Sequence, residues 1–262
     1  MKKVCIFIFS GTGMTKYVID KIKLEFDAKQ IFVDIKLIEN INNISINEYD
    51  IVGIAYPVHA FNAPKIVIDF ANILPKVNSK STFIINTAGS NSIMNNSSSE
   101  LLIRVLCKKG FDVFYNKRFV MPSNFAVKDD EEEVKNKLNI VKLEIPKTVL
   151  EIINMNTYKQ QSNFISNIMT FIGRIEWIGL FILGKIFYAN KNCNRCGVCI
   201  INCPNRNIIV NKNHVKFKRN CGLCMRCFYL CSNNCIKIYR LFRFIVFDKW
   251  YENMELKIMK LR

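Results

Sequence analysis

Short apolar runs and amphipathic stretches alternate along the first half of this chain. Residues 3–9, Lys-Val-Cys-Ile-Phe-Ile-Phe, form a continuous apolar run suited to a buried parallel strand. Val18, Ile22, Leu24 and Phe26 follow as the apolar positions of an amphipathic helix, with lysines between them. Residues 31–38 and Asp50–Tyr56 read as two further strands. Pro64–Leu74 reads as a helix with proline near its first turn. Residues 82–87 then read as a strand, Ser97–Lys109 as a helix and Phe111–Val120 as a fifth strand. Five strands with intervening helices predict an α/β fold on a doubly wound parallel sheet. Ligands of such sheets sit beyond the carboxyl ends of the strands, where strand order reverses. That rule singles out three loops: Ser10–Thr15, Tyr56–Asn62 and Thr87–Asn91.

The first of these loops carries the clearest chemistry. Ser10-Gly11-Thr12-Gly13-Met14-Thr15 joins a strand to a helix start, the arrangement that binds a phosphate at a helix N-terminus. Its two glycines permit close backbone approach, and Ser10, Thr12 and Thr15 add hydroxyls without positive charge. It lacks the GK[ST] ending of a P-loop and the GxGxxG of a dinucleotide site. The bland alternative is a plain strand-to-helix connection. The turn resembles the FMN-phosphate loop of flavodoxins, (S/T)-x-T-G-x-T, and the likeness extends over residues 1–150. The resemblance implies that Ser10, Gly11, Thr12, Gly13, Met14 and Thr15 cradle an FMN phosphate. It further implies that Tyr56, Pro57, Val58, His59, Ala60, Phe61 and Asn62, with Thr87, Ala88, Gly89 and Ser90, border the flavin ring. Many flavodoxins stack the flavin between two aromatics; here Thr87–Asn91 offers none.

The second half is organised by cysteine. Eight of the eleven fall into two copies of one spacing, Cys193-x2-Cys196-x2-Cys199-x3-Cys203-Pro204 and Cys221-x2-Cys224-x2-Cys227-x3-Cys231. A cysteine every third residue in a tight loop brings three thiolates to three corners of a cube, and the fourth corner is capped from elsewhere. In two-cluster proteins the fourth cysteine of each run serves the other cluster. Cys193, Cys196, Cys199 and Cys231 are therefore expected at one 4Fe–4S cluster, and Cys221, Cys224, Cys227 and Cys203 at the other. Structural zinc would leave the third cysteine of each triplet without a task. A disulfide framework would need an oxidising compartment, and the opening Met1-Lys2-Lys3 runs into a strand without a signal peptide. A cytoplasmic setting is expected. Cys235 is expected as a buried thiol, with substitution as a ligand the lesser alternative, and Cys5 and Cys107 as core residues.

With both halves in view, the chain resembles the flavodoxin–ferredoxin fusion proteins of anaerobic bacteria. The expected organisation is a flavodoxin-like FMN domain over 1–150, an apolar helical linker over 151–189, a two-cluster ferredoxin domain over 190–240 and a basic aromatic tail over 241–262. The linker is rich in apolar residues from Phe164 to Ala189, but Arg174, Glu176 and Lys185 interrupt it, so a membrane-spanning helix is not expected. Packing of one domain against the other is the preferred account of this segment, and an interfacial membrane anchor the sharper alternative. Asp129–Glu133 reads as a solvated acidic run opening a helix.

Charge then narrows the partners. Residues 151–262 hold 18 Lys+Arg against 5 Asp+Glu, while residues 1–150 hold 20 against 16. The basic residues are scattered singly among apolar ones and form no nucleic-acid signature, so no nucleic acid is expected. An acidic redox protein fits better, with peripheral membrane contact as a further option. These observations predict an electron-transfer iron–sulfur flavoprotein. The alternatives are a ferredoxin-dependent flavin reductase acting on a quinone, flavin or disulfide, and a docked two-cluster ferredoxin with an empty flavodoxin-like domain.

Overall fold

A computed structural model of the chain describes residues 2–41, 44–123, 128–183, 185–211 and 214–239. The side chains of residue 176 and of 178–183 are outside that description, as is the expected tail over 241–262. The chain forms two compact units. The first takes in residues up to Ser10, Met14–Ser123 and Asp129–Gly173; the second takes in Gly11–Gly13, Lys128 and the described chain from Arg174 onward.

The first unit is a parallel sheet flanked by helices. Its elements are β1 (Lys3–Ile8), α1 (Met14–Ala28), β2 (Phe32–Leu37), β3 (Ile51–Pro57), α2 (Lys65–Ile73), β4 (Lys80–Ala88), α3 (Glu100–Cys107), β5 (Phe111–Val120), α4 (Glu131–Ile153) and β6 (Tyr158–Lys159). Strand order is β2-β1-β3-β4-β5-β6, and every pairing is parallel. Order reverses between β1 and β3, the switch point of a doubly wound sheet. β1 and β3 are buried on both faces, which is why their sequences run apolar without alternation. The sheet has six strands where five were expected, because the two-residue β6 is too short to carry a pattern.

Three further expectations need correction. Leu24 and Cys107, placed in the core by periodicity, are both exposed. Asp129 is not part of a solvated run: it is buried, accepts from Ser123 N at 2.9 Å and pairs with Lys137 at 2.6 Å. Asp130 is the cap of α4, its carboxylate accepting from Glu133 N at 2.8 Å.

α5 (Phe164–Leu183) leads from the first unit into the second. There follow β7 (Phe187–Ala189), α6 (Val198–Ile201), β8 (Ile208–Asn211), β9 (His214–Phe217), α7 (Arg226–Leu230) and β10 (Ile236–Ile238). β7 pairs antiparallel with β10, and β8 with β9. Each cysteine run thus sits in one strand–helix–strand repeat. Ile186, Phe187, Ile208, Phe217, Met225, Phe228, Tyr229, Ile236 and Ile238 form the core, with Cys199, Cys203, Cys221, Cys227 and Cys231 packed against it. Among the described residues, no helix is long and apolar enough to cross a membrane.

Candidate functional site

Three loops leave the carboxyl ends of the adjacent strands β1, β3 and β4. Phe9 N donates to Ala55 O at 2.9 Å and Val58 N to Thr87 O at 2.8 Å, carrying the ladder past the strand ends. In the first loop Ser10 is buried and accepts from Lys16 N at 3.3 Å, closing the turn onto the start of α1. The Thr15 and Thr87 hydroxyls share a hydrogen bond of 2.8 Å, so the first and third loops are joined. Gly13 has φ of 99°, a conformation costly for other residues. Gly11, Thr12 and Gly13 group with the second unit, and Ser10, Met14 and Thr15 with the first.

The second loop is a two-residue hairpin with strained centres. His59 and Asn62 exchange backbone bonds, His59 N to Asn62 O at 2.9 Å and Asn62 N to His59 O at 2.8 Å. Ala60 and Phe61 between them have φ of 39° and 63°. Positive φ at both central residues is the signature of a type I′ turn, which ordinarily selects Asn and Gly. Helix α5 holds it in place: Asn62 Nδ2 donates to Thr170 O at 2.8 Å, and Thr170 Oγ1 to Phe61 O at 3.3 Å. Strain of this kind survives only where surrounding contacts over-determine it, and it gathers at functional sites. Pro57, Val58, His59, Ala60 and Phe61 are half-buried, and burial pushes the His59 imidazole down to about 4, so it is neutral at pH 7. Tyr56 instead lies fully buried within β3, its hydroxyl sharing a 2.7 Å bond with Ser99 Oγ. His59 and Phe61 are left as the ring-bearing side chains of the loop itself.

In the third loop Thr87 is buried, Ala88 half-buried, and Gly89 and Ser90 exposed. Two cations anchor this segment, and sequence reasoning named neither. Lys137 Nζ donates to Gly89 O at 3.0 Å while pairing with Asp129. Burial opposes its charge, but the bonds to Asp129 and Glu133 prevail and hold the ammonium above its ordinary range. Arg118 is buried on β5 and donates to Asn91 Oδ1 at 3.2 Å and Asn96 Oδ1 at 2.9 Å. An arginine at the carboxyl end of an inner strand was the signal available.

In the second unit, one cavity is lined by Cys193, Cys196 and Cys199 of the first run together with Cys231 of the second. The Cys199 thiol is pushed up to about 11 by burial and by Cys193, Cys196 and Cys231. Cys221 is pushed up to about 12 by burial, then by Cys224 and Cys203. Cys227 is raised by burial, then by Cys224, Cys221, Cys203 and Cys199. The neighbours of each run therefore include the last cysteine of the other. Among the described residues, no three His, Cys, Asp or Glu side chains close on a single ion. The donors Cys193, Cys196, Cys199 and Cys231 surround a cavity instead, and an all-thiol set of four is the donor chemistry of an iron–sulfur cluster.

The two runs are also matched in backbone. Arg195 and Leu223, Gly197 and Met225, and Arg206 and Asn234 all have positive φ, and each pair is 28 positions apart, as are Cys193 and Cys221. Asn207 N donates to Cys203 Sγ at 3.2 Å, and Cys235 N donates to Cys231 Sγ at 3.2 Å. Cys235 is thus the counterpart of Asn207, a buried residue whose backbone N–H serves the preceding sulfur. Spacing alone could not reveal that equivalence, because it resides in a backbone donor.

No protein-family model matches the chain, and no curated protein matches it. Among solved structures it is similar to a Fusobacterium nucleatum flavodoxin mutant bound to flavin mononucleotide. That match has 16% identity over 60% of this chain and 98% of that one, with a TM-score of 0.44. It is also similar to oxidised flavodoxin 2 of Bacillus cereus, with 18% identity over 56% of this chain and 99% of that one and a TM-score of 0.40. A third is the rubredoxin oxygen:oxidoreductase of Desulfovibrio gigas, with 15% identity over 58% of this chain and 37% of that one and a TM-score of 0.38. The strand order β2-β1-β3-β4-β5, with its switch between β1 and β3, gives the first unit a flavodoxin-like α/β fold.

Proposed function

We propose that this chain is an iron–sulfur flavoprotein that relays electrons between one FMN and two 4Fe–4S clusters. FMN, when bound, exchanges electrons in pairs or singly, and each cubane cycles one. Ser10, Thr12 and Thr15 at the start of α1 would bind the phosphate through hydroxyls and backbone N–H groups. The hairpin from His59 to Asn62 and the segment Thr87–Ser90 would border the ring, the hairpin held rigid by α5 and the segment by Lys137. His59 presents a neutral imidazole to that border. Cys193, Cys196, Cys199 and Cys231 would hold one cluster, and Cys221, Cys224, Cys227 and Cys203 the other. The basic second half would steer an acidic redox protein to the chain.

The observation that carries this reading is the crossing of the cysteine runs, with Cys231 lining the cavity of Cys193, Cys196 and Cys199. The test is anaerobic purification followed by release of flavin, iron and sulfide. One FMN with about eight irons and about eight sulfides per chain is expected. Protein with neither flavin nor iron–sulfur absorbance would end the proposal.

A further inference from the structure

Helix α5 is inside out. On the side that meets the first unit, Ser166 is 0% exposed and Thr170 is 2% exposed, and Gly173 is also buried. On the other side Phe164 is 79% exposed and Phe171 is 68% exposed, with Ile165, Ile168, Ile172 and Ile175 exposed between and beyond them. At about 100° per residue these six side chains cover an arc about 120° wide, opposite Ser166, Thr170 and Gly173. A surface helix normally turns such an arc toward the core.

The rotation is fixed by polar bonds. The Ser97 hydroxyl meets Ser166 Oγ at 2.6 Å and donates to Asn167 Oδ1 at 2.7 Å. Thr170 bonds to Asn62 and Phe61 of the strained hairpin. A Cβ on Gly173 would collide with the Ala60 carbonyl oxygen. Rolling the apolar arc inward would break all of these bonds and press large side chains where only glycine fits.

We infer that the outward face of α5 is an interfacial membrane anchor, lying in the surface of an anionic bilayer. The exposed face is a continuous stripe of phenylalanine and isoleucine with no polar group inside it. That composition suits lipid better than an acidic protein, which would be met by charges. The chain carries a net charge of +17, so a second copy is repelled and an anionic surface attracts. Because no described helix can span, the contact lies on the membrane rather than through it. The inference stands on this helix and does not depend on either cofactor.

The test is co-flotation of the full chain with vesicles of phosphatidylcholine and phosphatidylglycerol in equal parts, against phosphatidylcholine alone. Preferential flotation with the anionic vesicles is expected. The double variant Phe164→Gln/Phe171→Gln keeps the charge and, because both positions are exposed, is expected to keep its melting temperature. Its partitioning should fall about tenfold or more, while Leu24→Gln on exposed α1 should float like the parent. Failure to float with anionic vesicles would overturn the inference, as would flotation unchanged by the double substitution. A concentration-dependent dimer abolished by that variant would overturn it in favour of a self-interface.

Discussion

His59 is the residue whose protonation most directly couples to the candidate flavin border. Burial lowers its imidazole from the ordinary 6.5 to about 4. Between those values the unfolded chain binds a proton that the folded chain does not, so stability falls as pH drops through this window and levels off below it. Urea midpoints of the flavodoxin-like unit should show that slope, and His59→Gln should flatten it; an unchanged slope would assign it to other groups. The Thr15–Thr87 bond gives a second test at this scale. Thr15→Val leaves the buried Thr87 hydroxyl without that partner, at an expected cost of about 1–2 kcal/mol in the same midpoints. A loss within error would show that the joined loops contribute nothing to folding.

Elements explain why these residues hold still. The hairpin after β3 adopts a turn that its own sequence disfavours, and α5 supplies the restraint. Gly173→Ala separates the two influences. Helix propensity alone predicts a gain of about 1 kcal/mol for alanine over glycine. The contact with the Ala60 carbonyl predicts a net loss of about 1–3 kcal/mol instead, since backbone cannot yield as a side chain can. A variant more stable than the parent would remove α5 as the clamp. On the opposite side, α4 reaches the third loop through Lys137, whose charge is balanced by buried Asp129. That pair takes Asp129 out of the acidic run before α4, whose other carboxylates, Asp130 to Glu133, stay exposed.

At the scale of the whole molecule, the second unit is a tandem repeat in which Cys231 of one half lines a cavity with Cys193, Cys196 and Cys199 of the other. In the proposed two-cluster arrangement, Cys196→Ser and Cys231→Ser should abolish the same electron paramagnetic resonance signal, and Cys224→Ser and Cys203→Ser the other. If Cys231→Ser grouped with Cys224→Ser, the crossing would be wrong. The charge of +17 adds a kinetic expectation: electron transfer with an acidic carrier should slow steeply as ionic strength rises. A rate indifferent to salt would leave the basic surface without a role in docking.

Patterns that repeat over short distances were legible without coordinates. β1 and β3 declare themselves because strands buried on both faces run apolar throughout, and the glycine-hydroxyl turn after β1 stands out as a strand-to-helix connection with the composition of a phosphate loop. The cysteine spacing likewise limits the chemistry, since three thiols in a tight loop suit few ligands. What periodicity misread were positions decided by contacts distant in sequence. Tyr56 looked like a loop aromatic, yet Ser99 holds it in the core. Cys107 and Leu24 looked buried, but both are exposed. β6 is visible only as a neighbour of β5, and Arg118 and Lys137 only through the loop atoms they reach. The apolar stripe of α5 was plain in the sequence, but its direction was not. An amphipathic pattern defines two faces and leaves open which is inward; Ser97, Asn62 and the Ala60 carbonyl made that choice, because hydrogen bonds and close backbone approach exist only in three dimensions.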